Sequence, residues 1–68
     1  MTKQERVIDV IEQMSGSKVK LITSIESLSI DSLDMVEIVH ELEEEFNTKL
    51  NDVDIQNAKT VADFVELV

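Results

Sequence analysis

The 68-residue sequence contains no cysteine and no proline, and its only glycine is Gly16. The absence of cysteine excludes disulfide bonds and thiolate metal sites, although it leaves the redox compartment open. Without proline, and with glycine at one position, few residues interrupt helices, while Glu, Leu, Ile and Val are frequent. The composition therefore favours an all-α fold.

Long apolar runs are also lacking, because no stretch approaches the roughly 20 residues that a membrane-spanning helix needs. The first six residues lead into a mixed polar segment rather than the apolar core of a signal peptide, so we expect a cytoplasmic protein. A chain of 68 residues has room for one hydrophobic core. We therefore expect residues 1–68 to form a single domain, and the protein to be a monomer.

Basic residues are scarce, with 6 Lys and Arg against 15 Asp and Glu, which gives a net charge of -9. Nine acids and one base, Lys49, lie between Asp31 and Asp54, so nine minus one leaves this segment with a charge of -8. Nucleic acid is a poor partner for such a surface, because its binding depends on phosphate neutralisation by Lys and Arg. Partners with basic patches should be attracted to this segment, and salt should weaken the encounter.

Capping residues and apolar periodicity predict the two longer helices. Residues 2–5 fit a capping box that begins a helix over 3–14, and Gly16 suits its end. Asp31 is a candidate N-cap for a second helix over 32–46. The core stripe of this second helix consists of Met35, Ile38, Val39, Leu42 and Phe46.

The remaining segments complete a small four-helix bundle, with three main helices and a short one. A short helical turn is predicted over 52–57 and a last helix over 61–67. Residues 16–30 show no sustained period and are predicted to form a long loop between the first two helices, which in so small a domain often marks a functional segment. Several apolar side chains should pin this loop to the core: Val19, Leu21, Ile22, Ile25 and Leu28.

The second helix carries apolar residues outside its core stripe. Leu33 and Val36 lie near its start, close to Ser32, and His40 continues their side one turn later. Acids surround this strip, namely Asp34, Glu37, Glu41 and Glu44. An apolar strip with an acidic rim suits the docking of a basic partner. The competing interpretation is that isolated apolar residues are normal on the surface of a small protein.

The run from Leu28 to Phe46 resembles the modification site of acyl carrier proteins. The hallmark of that family is an Asp-Ser-Leu triplet, here Asp31-Ser32-Leu33, followed by an acidic helix with a Glu-Glu-Phe-like ending, here Glu44-Glu45-Phe46. The amphipathic first helix, the long loop, the short third helix and the Thr-Val start of the last helix agree. The resemblance therefore covers essentially the whole chain.

The resemblance implies a four-helix bundle in which Ser32 carries a 4′-phosphopantetheine arm. A phosphopantetheinyl transferase would move the arm from coenzyme A to the Ser32 hydroxyl, and Asp31 would help that enzyme assemble its metal-dependent site. The arm's thiol would then carry acyl intermediates as thioesters between enzymes of fatty-acid, polyketide or specialised lipid biosynthesis, whose basic patches dock on the second helix. The docking positions would be Asp31, Leu33, Asp34, Val36, Glu37, His40, Glu41, Glu44 and Glu45.

Three positions depart from the family pattern. The glycine usual two residues before Asp31 is Ser29 here, and the often small residue just before Asp31 is Ile30. The third departure is His40, which stands where the family has an apolar residue on the partner-facing side of the second helix. In addition, the loop between the first two helices is a few residues short. Because these departures concern partner choice, a housekeeping fatty-acid carrier and a carrier devoted to one pathway both stay open.

The residues themselves argue against catalysis and against a metal site. A nucleophilic serine needs a nearby base, but the only histidine, His40, lies eight residues beyond Ser32, or about 12 Å along a helix. One His and no Cys leave only carboxylates for a metal, and they lack the spacing of an EF-hand. Two other interpretations stay open: an aminoacyl or peptidyl carrier, and a non-covalent acidic helical interaction module.

The resemblance also suggests that an acyl chain could shelter between the helices. The candidates to line such a space are Ile38, Val39, Leu42, Ile55 and Phe64. For any one of them, ordinary core packing is the competing interpretation.

Overall fold

The computed structural model describes residues 2–68. It contains α1 (Lys3–Ser15), α2 (Ser32–Phe46), α3 (Asp52–Asn57) and α4 (Val61–Leu67), with a single 3₁₀ turn at Glu26–Leu28 in the α1–α2 loop. The predicted all-α four-helix bundle is confirmed. The bounds of the last three helices agree with the prediction, and α1 runs one residue further than predicted.

The first helix begins and ends at the residues that the sequence indicates. Thr2 Oγ1 accepts a hydrogen bond from the Glu5 N–H at 3.2 Å, and Glu5 Oε1 accepts one from the Thr2 N–H at 2.9 Å. The latter bond lowers the pKa of Glu5. At the other end, Gly16 adopts the left-handed conformation (φ 73°), and its N–H donates to the Glu12 carbonyl at 2.8 Å. The chain can therefore turn sharply out of α1 without steric cost.

The hydrophobic core is built by α1, α2, α4 and the long loop, and α1 packs against both α2 and α4. Its buried side chains are Val7, Val10, Ile11, Val19, Ile25, Ile38, Leu42, Val61 and Phe64. Within residues 2–68, α3 contributes no fully buried side chain, and its Ile55 packs against the core from the edge. Because α2 is anchored on one side only, its other side faces solvent.

The long loop is attached to the core by fewer side chains than expected. Val19 and Ile25 are buried, and the Val19 N–H donates to Glu12 Oε2 at 3.1 Å. Leu21 and Leu28 pack against the same core, half-buried. Ile22, however, is 83% exposed, so the prediction that it pins the loop is wrong. Leu21 and Ile22 are the two central residues of a turn that the Thr23 N–H closes on the Lys20 carbonyl at 3.0 Å, and in this turn Leu21 packs against the core while Ile22 faces solvent.

Main-chain hydrogen bonds join the middle of this loop to the junction between α3 and α4. Residues 21–25 run beside residues 59–62, with an isolated antiparallel bridge between Ser24 and Thr60. Three hydrogen bonds join the two segments: Ile25 N–H to Lys59 O at 2.9 Å, Val61 N–H to Thr23 O at 3.1 Å, and Ala62 N–H to Leu21 O at 2.9 Å. The loop that leads to α2 is therefore held by the start of the last helix.

Candidate functional site

Ser32 is the first residue of α2 and follows the helix N-cap, Asp31. Asp31 Oδ1 accepts a hydrogen bond from the Asp34 N–H at 2.8 Å, and the Asp31 carbonyl accepts one from the Met35 N–H at 2.9 Å. These bonds define where the helix starts. Ser32 itself is exposed. A large group could therefore be attached to its hydroxyl without displacing the core.

The chain reaches this position through a strained turn. Ser29 has φ 55° and ψ 37°, in the left-handed region, and its N–H closes the 3₁₀ turn on the Glu26 carbonyl at 3.4 Å. A side chain in this region costs roughly 1–2 kcal/mol, which glycine avoids. The geometry thus explains why a glycine suits this position, and Ser29 introduces strain close to Ser32. The other departure in this turn, Ile30, is half-buried and packs against the core.

Beyond Ser32, the solvent-facing side of α2 displays the apolar strip that the sequence predicts. Leu33 and Val36 are 71% and 64% exposed. His40 is exposed as well, and its Nε2 lies 3.1 Å from Glu44 Oε1, one turn further along. Asp31, Glu37, Glu41 and Glu44 also face solvent, and Asp34 is half-buried. The structure thus brings most of the predicted docking residues onto one face, which begins at Ser32.

Glu45 differs from the other predicted docking acids. Its Oε1 lies 2.8 Å from Arg6 Nη2, and its Oε2 accepts a hydrogen bond from Arg6 Nε at 3.1 Å. Arg6 also contacts Asp9 at 3.3 Å. The hydrogen bond and the charge of Glu45 raise the pKa of Arg6. Glu45 therefore joins α2 to α1, a role that its place in an acidic run did not reveal.

A second acid in the same run also has a contact inside the chain. Glu43 Oε2 accepts a hydrogen bond from the Leu50 N–H at 2.8 Å, and the Glu43 carbonyl accepts one from the Thr48 N–H at 3.0 Å. Asn47 ends α2 in the left-handed conformation, with φ 50°. Glu43 thus stabilises the connection between α2 and α3. Of the acids of α2, Glu43 and Glu45 therefore make contacts with other parts of the chain, whereas Glu37, Glu41 and Glu44 are exposed on the outer face.

The surroundings of Ser32 do not resemble a catalytic centre. His40 contacts Glu44, and in residues 2–68 no hydrogen bond joins the Ser32 hydroxyl to a histidine or a carboxylate. No group of three or more His, Cys, Asp or Glu in the same range is placed to hold a metal ion.

Two grooves flank the exposed face of α2. The groove between α1 and α2 has a volume of about 540 Å³, and the groove between α2 and the start of α3 has about 330 Å³. Val36 and His40 line both grooves and form the ridge between them. Since residues four apart share a helix face, this ridge continues the line of Ser32. The sequence prediction missed the α1 side of the first groove, which is lined by Val10, Gln13 and Met14.

The five residues proposed to line an acyl-chain space divide between the core and a groove. Val39 and Ile55 line the α2–α3 groove. The other three, Ile38, Leu42 and Phe64, are buried to 1% exposure or less, as ordinary core packing predicts.

A family model described as the phosphopantetheine attachment site matches residues 5–68. The chain belongs to this family. It is also similar to the solved structure of a Mycobacterium tuberculosis chain described as an acyl carrier protein, with 26% sequence identity and a TM-score of 0.88. That match covers 97% of this chain and 93% of the other. The predicted membership of the acyl carrier family is thereby confirmed.

Membership fixes the general character of the protein. A phosphopantetheine-binding domain of the acyl carrier type is a carrier and not an enzyme, and its cofactor is covalently bound 4′-phosphopantetheine. Carrier domains interact with phosphopantetheinyl transferases and with synthesis enzymes. Within residues 2–68, none of the helices has the length and apolar character needed to cross a membrane.

Proposed function

We propose that this protein is an acyl carrier protein that holds acyl intermediates as thioesters on a 4′-phosphopantetheine arm attached to Ser32, for fatty-acid or related acyl-chain biosynthesis. The observation that carries the proposal is the place of Ser32. It is an exposed serine at the first position of α2, directly after the capping Asp31 and directly before an exposed apolar and acidic face.

The start of α2 fits a covalently attached phosphodiester. The first N–H groups of a helix have no acceptor inside it, and together with the helix dipole they favour a negative group. The carboxylates of Asp31 and Asp34 oppose a free phosphate, but a covalent bond removes that objection. During attachment the Ser32 hydroxyl oxygen would bond to the phosphorus of coenzyme A's pantetheine phosphate, adenosine bisphosphate would leave, and the hydroxyl would lose its proton. The bound group supplies a thiol for thioester formation.

The outer face of α2 supports docking of the enzymes that use the arm. Glu37, Glu41 and Glu44 are exposed around Leu33 and Val36. These acids are spaced four and three residues apart along one side, so a partner's basic patch could contact them while an apolar contact forms beside them. We expect the protein to be monomeric, since a net charge of -9 makes copies repel one another. We also expect it to be cytoplasmic.

The α2–α3 groove is the space that we assign to a short acyl chain. Met35, Val39, Leu50 and Ile55 line it. The carboxylate of Glu43, which also lines it, is turned to the Leu50 N–H. The groove therefore offers a largely apolar surface beside the Ser32 face.

The experiment is to incubate the protein with coenzyme A, Mg²⁺ and a broad-specificity phosphopantetheinyl transferase, and then to weigh the intact protein. We expect a gain of one phosphopantetheine that is absent in Ser32→Ala. The control is Ser29→Ala, which alters a serine three positions away and should keep the gain. A folded protein that gains no mass would contradict the proposal and favour the non-covalent acidic module. Native mass spectrometry of protein from its own source would separate acyl from aminoacyl cargo.

A further inference from the structure

A groove of about 540 Å³ lies between α1 and α2. Val10 and Met14 of α1 give it an apolar floor, and Val36 of α2 adds an apolar side chain at its edge. Val10 is nearly buried, at 6% exposure, whereas Val36 is 64% exposed at the edge. The groove is thus deep enough for a side chain to enter, and its apolar floor would gain from being covered.

The rim of this groove carries charge of one sign. Glu37 and Glu41 line it from α2 and Gln13 lines it from α1, while His40, which also lines it, lies 3.1 Å from Glu44. No Lys or Arg of residues 2–68 contributes to the lining. Cationic groups are therefore favoured around an apolar centre.

An ion pair joins the two helices that form the groove at one of its ends. Arg6 lies one helical turn before Val10 on α1, and Glu45 lies one turn after Glu41 on α2. The Arg6–Glu45 ion pair therefore joins the two helices just beyond the groove and fixes their separation there. A preformed groove loses little conformational entropy when a partner enters.

We propose that this groove is a socket for a partner protein segment that projects one large apolar side chain flanked by Lys or Arg side chains. The inference deepens the proposed function and rests on it, since the partner is an enzyme that acts on the group carried by Ser32. It adds α1, through Gln13 and Met14, to a docking surface that the sequence places on α2 alone.

Charge argues against the other occupants. A second copy of the chain would bring the same net charge of -9 to the rim. An uncharged acyl chain would gain nothing from Glu37 and Glu41, and the α2–α3 groove offers it apolar walls. Of these three occupants, only a basic partner segment with an apolar side chain interacts favourably with both the apolar floor and the acidic rim.

The probe is a synthetic amphipathic helical peptide made of Leu and Lys, titrated into the ¹⁵N-labelled full chain at low ionic strength. We expect the amide signals of Val10, Gln13 and Met14 to shift together with those of Val36 and Glu37. A peptide in which Gln replaces every Leu keeps the charge, and we expect it to bind at least about tenfold more weakly, since it lacks the side chain that fills the floor. Equal binding of the two peptides would overturn the socket.

A charge placed in the groove gives the matched test. Gln13→Arg and Gln4→Arg each add one positive charge to an exposed position of α1, so both change the net charge from -9 to -8 (-9 + 1). Only Gln13 lines the groove. We expect Gln13→Arg to weaken Leu/Lys peptide binding by roughly two- to fivefold more than Gln4→Arg does.

Several outcomes would contradict the proposal. Three of them are an absence of peptide binding, amide-signal shifts confined to α2, and equal effects of the two variants. A fourth is a shift of the α1 amide signals that depends on protein concentration without peptide, because it would identify a second copy as the occupant. Mass gain at Ser32 is measured on the same samples. A normal mass gain without α1 shifts would overturn the socket alone, and α1 shifts without a mass gain would overturn the attachment.

Discussion

Arg6 in α1 and Glu45 in α2 are bound at two points, with Nη2 to Oε1 at 2.8 Å and Nε to Oε2 at 3.1 Å, across 39 positions of sequence. Two parallel contacts fix direction as well as distance, which a lysine in place of Arg6 could not do. The pair therefore orients α2, and with it the face that begins at Ser32, relative to α1.

Arg6→Gln should lower the melting temperature by a few degrees, because it removes the cross-helix pair and leaves Glu45 beside the other acids of α2. The effect should shrink at high salt, which screens the pair. Thermal unfolding monitored by circular dichroism measures it. Lys20→Gln is the control, since it removes one positive charge from an exposed loop position. Strictly additive effects of Arg6→Gln and Glu45→Gln would show that the pair does not couple the helices.

Ser29→Gly should stabilise the protein by up to about 1 kcal/mol, because glycine adopts the left-handed conformation without the steric cost of a side chain. The greater conformational entropy of glycine in the unfolded chain offsets part of this gain. Urea unfolding of the two proteins measures the difference. Ser17→Gly makes the same substitution where φ is not positive, and it should be neutral or destabilising. A destabilised Ser29→Gly would mean that the serine side chain offsets its own strain.

Asp31 has two separable roles, capping α2 and carrying a negative charge next to Ser32. Asp31→Ala should cost about 1 kcal/mol, whereas Asp31→Asn should retain most of the cap, since both residues are good N-caps. We expect both variants to be modified more slowly by the transferase, because the carboxylate is absent from both. Rates of mass gain, read beside unfolding curves, test this. An Asn variant that is modified at the normal rate would assign Asp31 to the cap alone.

Asp63 links stability to pH through the start of α4. Its Oδ2 accepts hydrogen bonds from the N–H groups of Lys59 at 2.8 Å and Thr60 at 3.1 Å, and these bonds lower the pKa of the carboxyl. Because folding lowers this pKa, the carboxylate stabilises the protein above the ordinary Asp value of about 3.9. The contribution is lost as pH falls through the lowered value.

Asp63→Asn should therefore be less stable than the parent at neutral pH and should lose less stability on acidification below about pH 4. Urea unfolding across this range measures both. The control is Asp54→Asn, which removes an exposed acid of α3 whose carboxylate accepts no hydrogen bond within residues 2–68. Parallel stability curves for Asp63→Asn and the parent protein would contradict the assignment.

The helices were predictable because their signals are local. Capping residues and the 3.6-residue period lie within each segment, so 32–46, 52–57 and 61–67 follow from neighbouring residues alone. The exposed strip of Leu33 and Val36 follows from the same period.

Features that depend on distant parts of the chain were not predictable. Arg6 and Glu45 carry no sign of their pairing, and the exposure of Ile22 depends on which side of the loop meets α4. The left-handed backbone of Ser29 is set by the 3₁₀ turn that precedes it, whereas serine as a residue type gives no hint of a positive φ.

The hydrogen bonds between residues 21–25 and 59–62 determine when, during synthesis, the chain can reach the fold in which Ser32 is presented. The loop segment that precedes the turn before Ser32 is held by residues that are synthesised long after it, so a growing chain cannot complete this arrangement until residue 62 has left the ribosome. With Ser32 as the acceptor, we expect unfinished or misfolded copies to be poor substrates for the transferase. Attachment of the arm would then select folded carriers before any cargo is loaded.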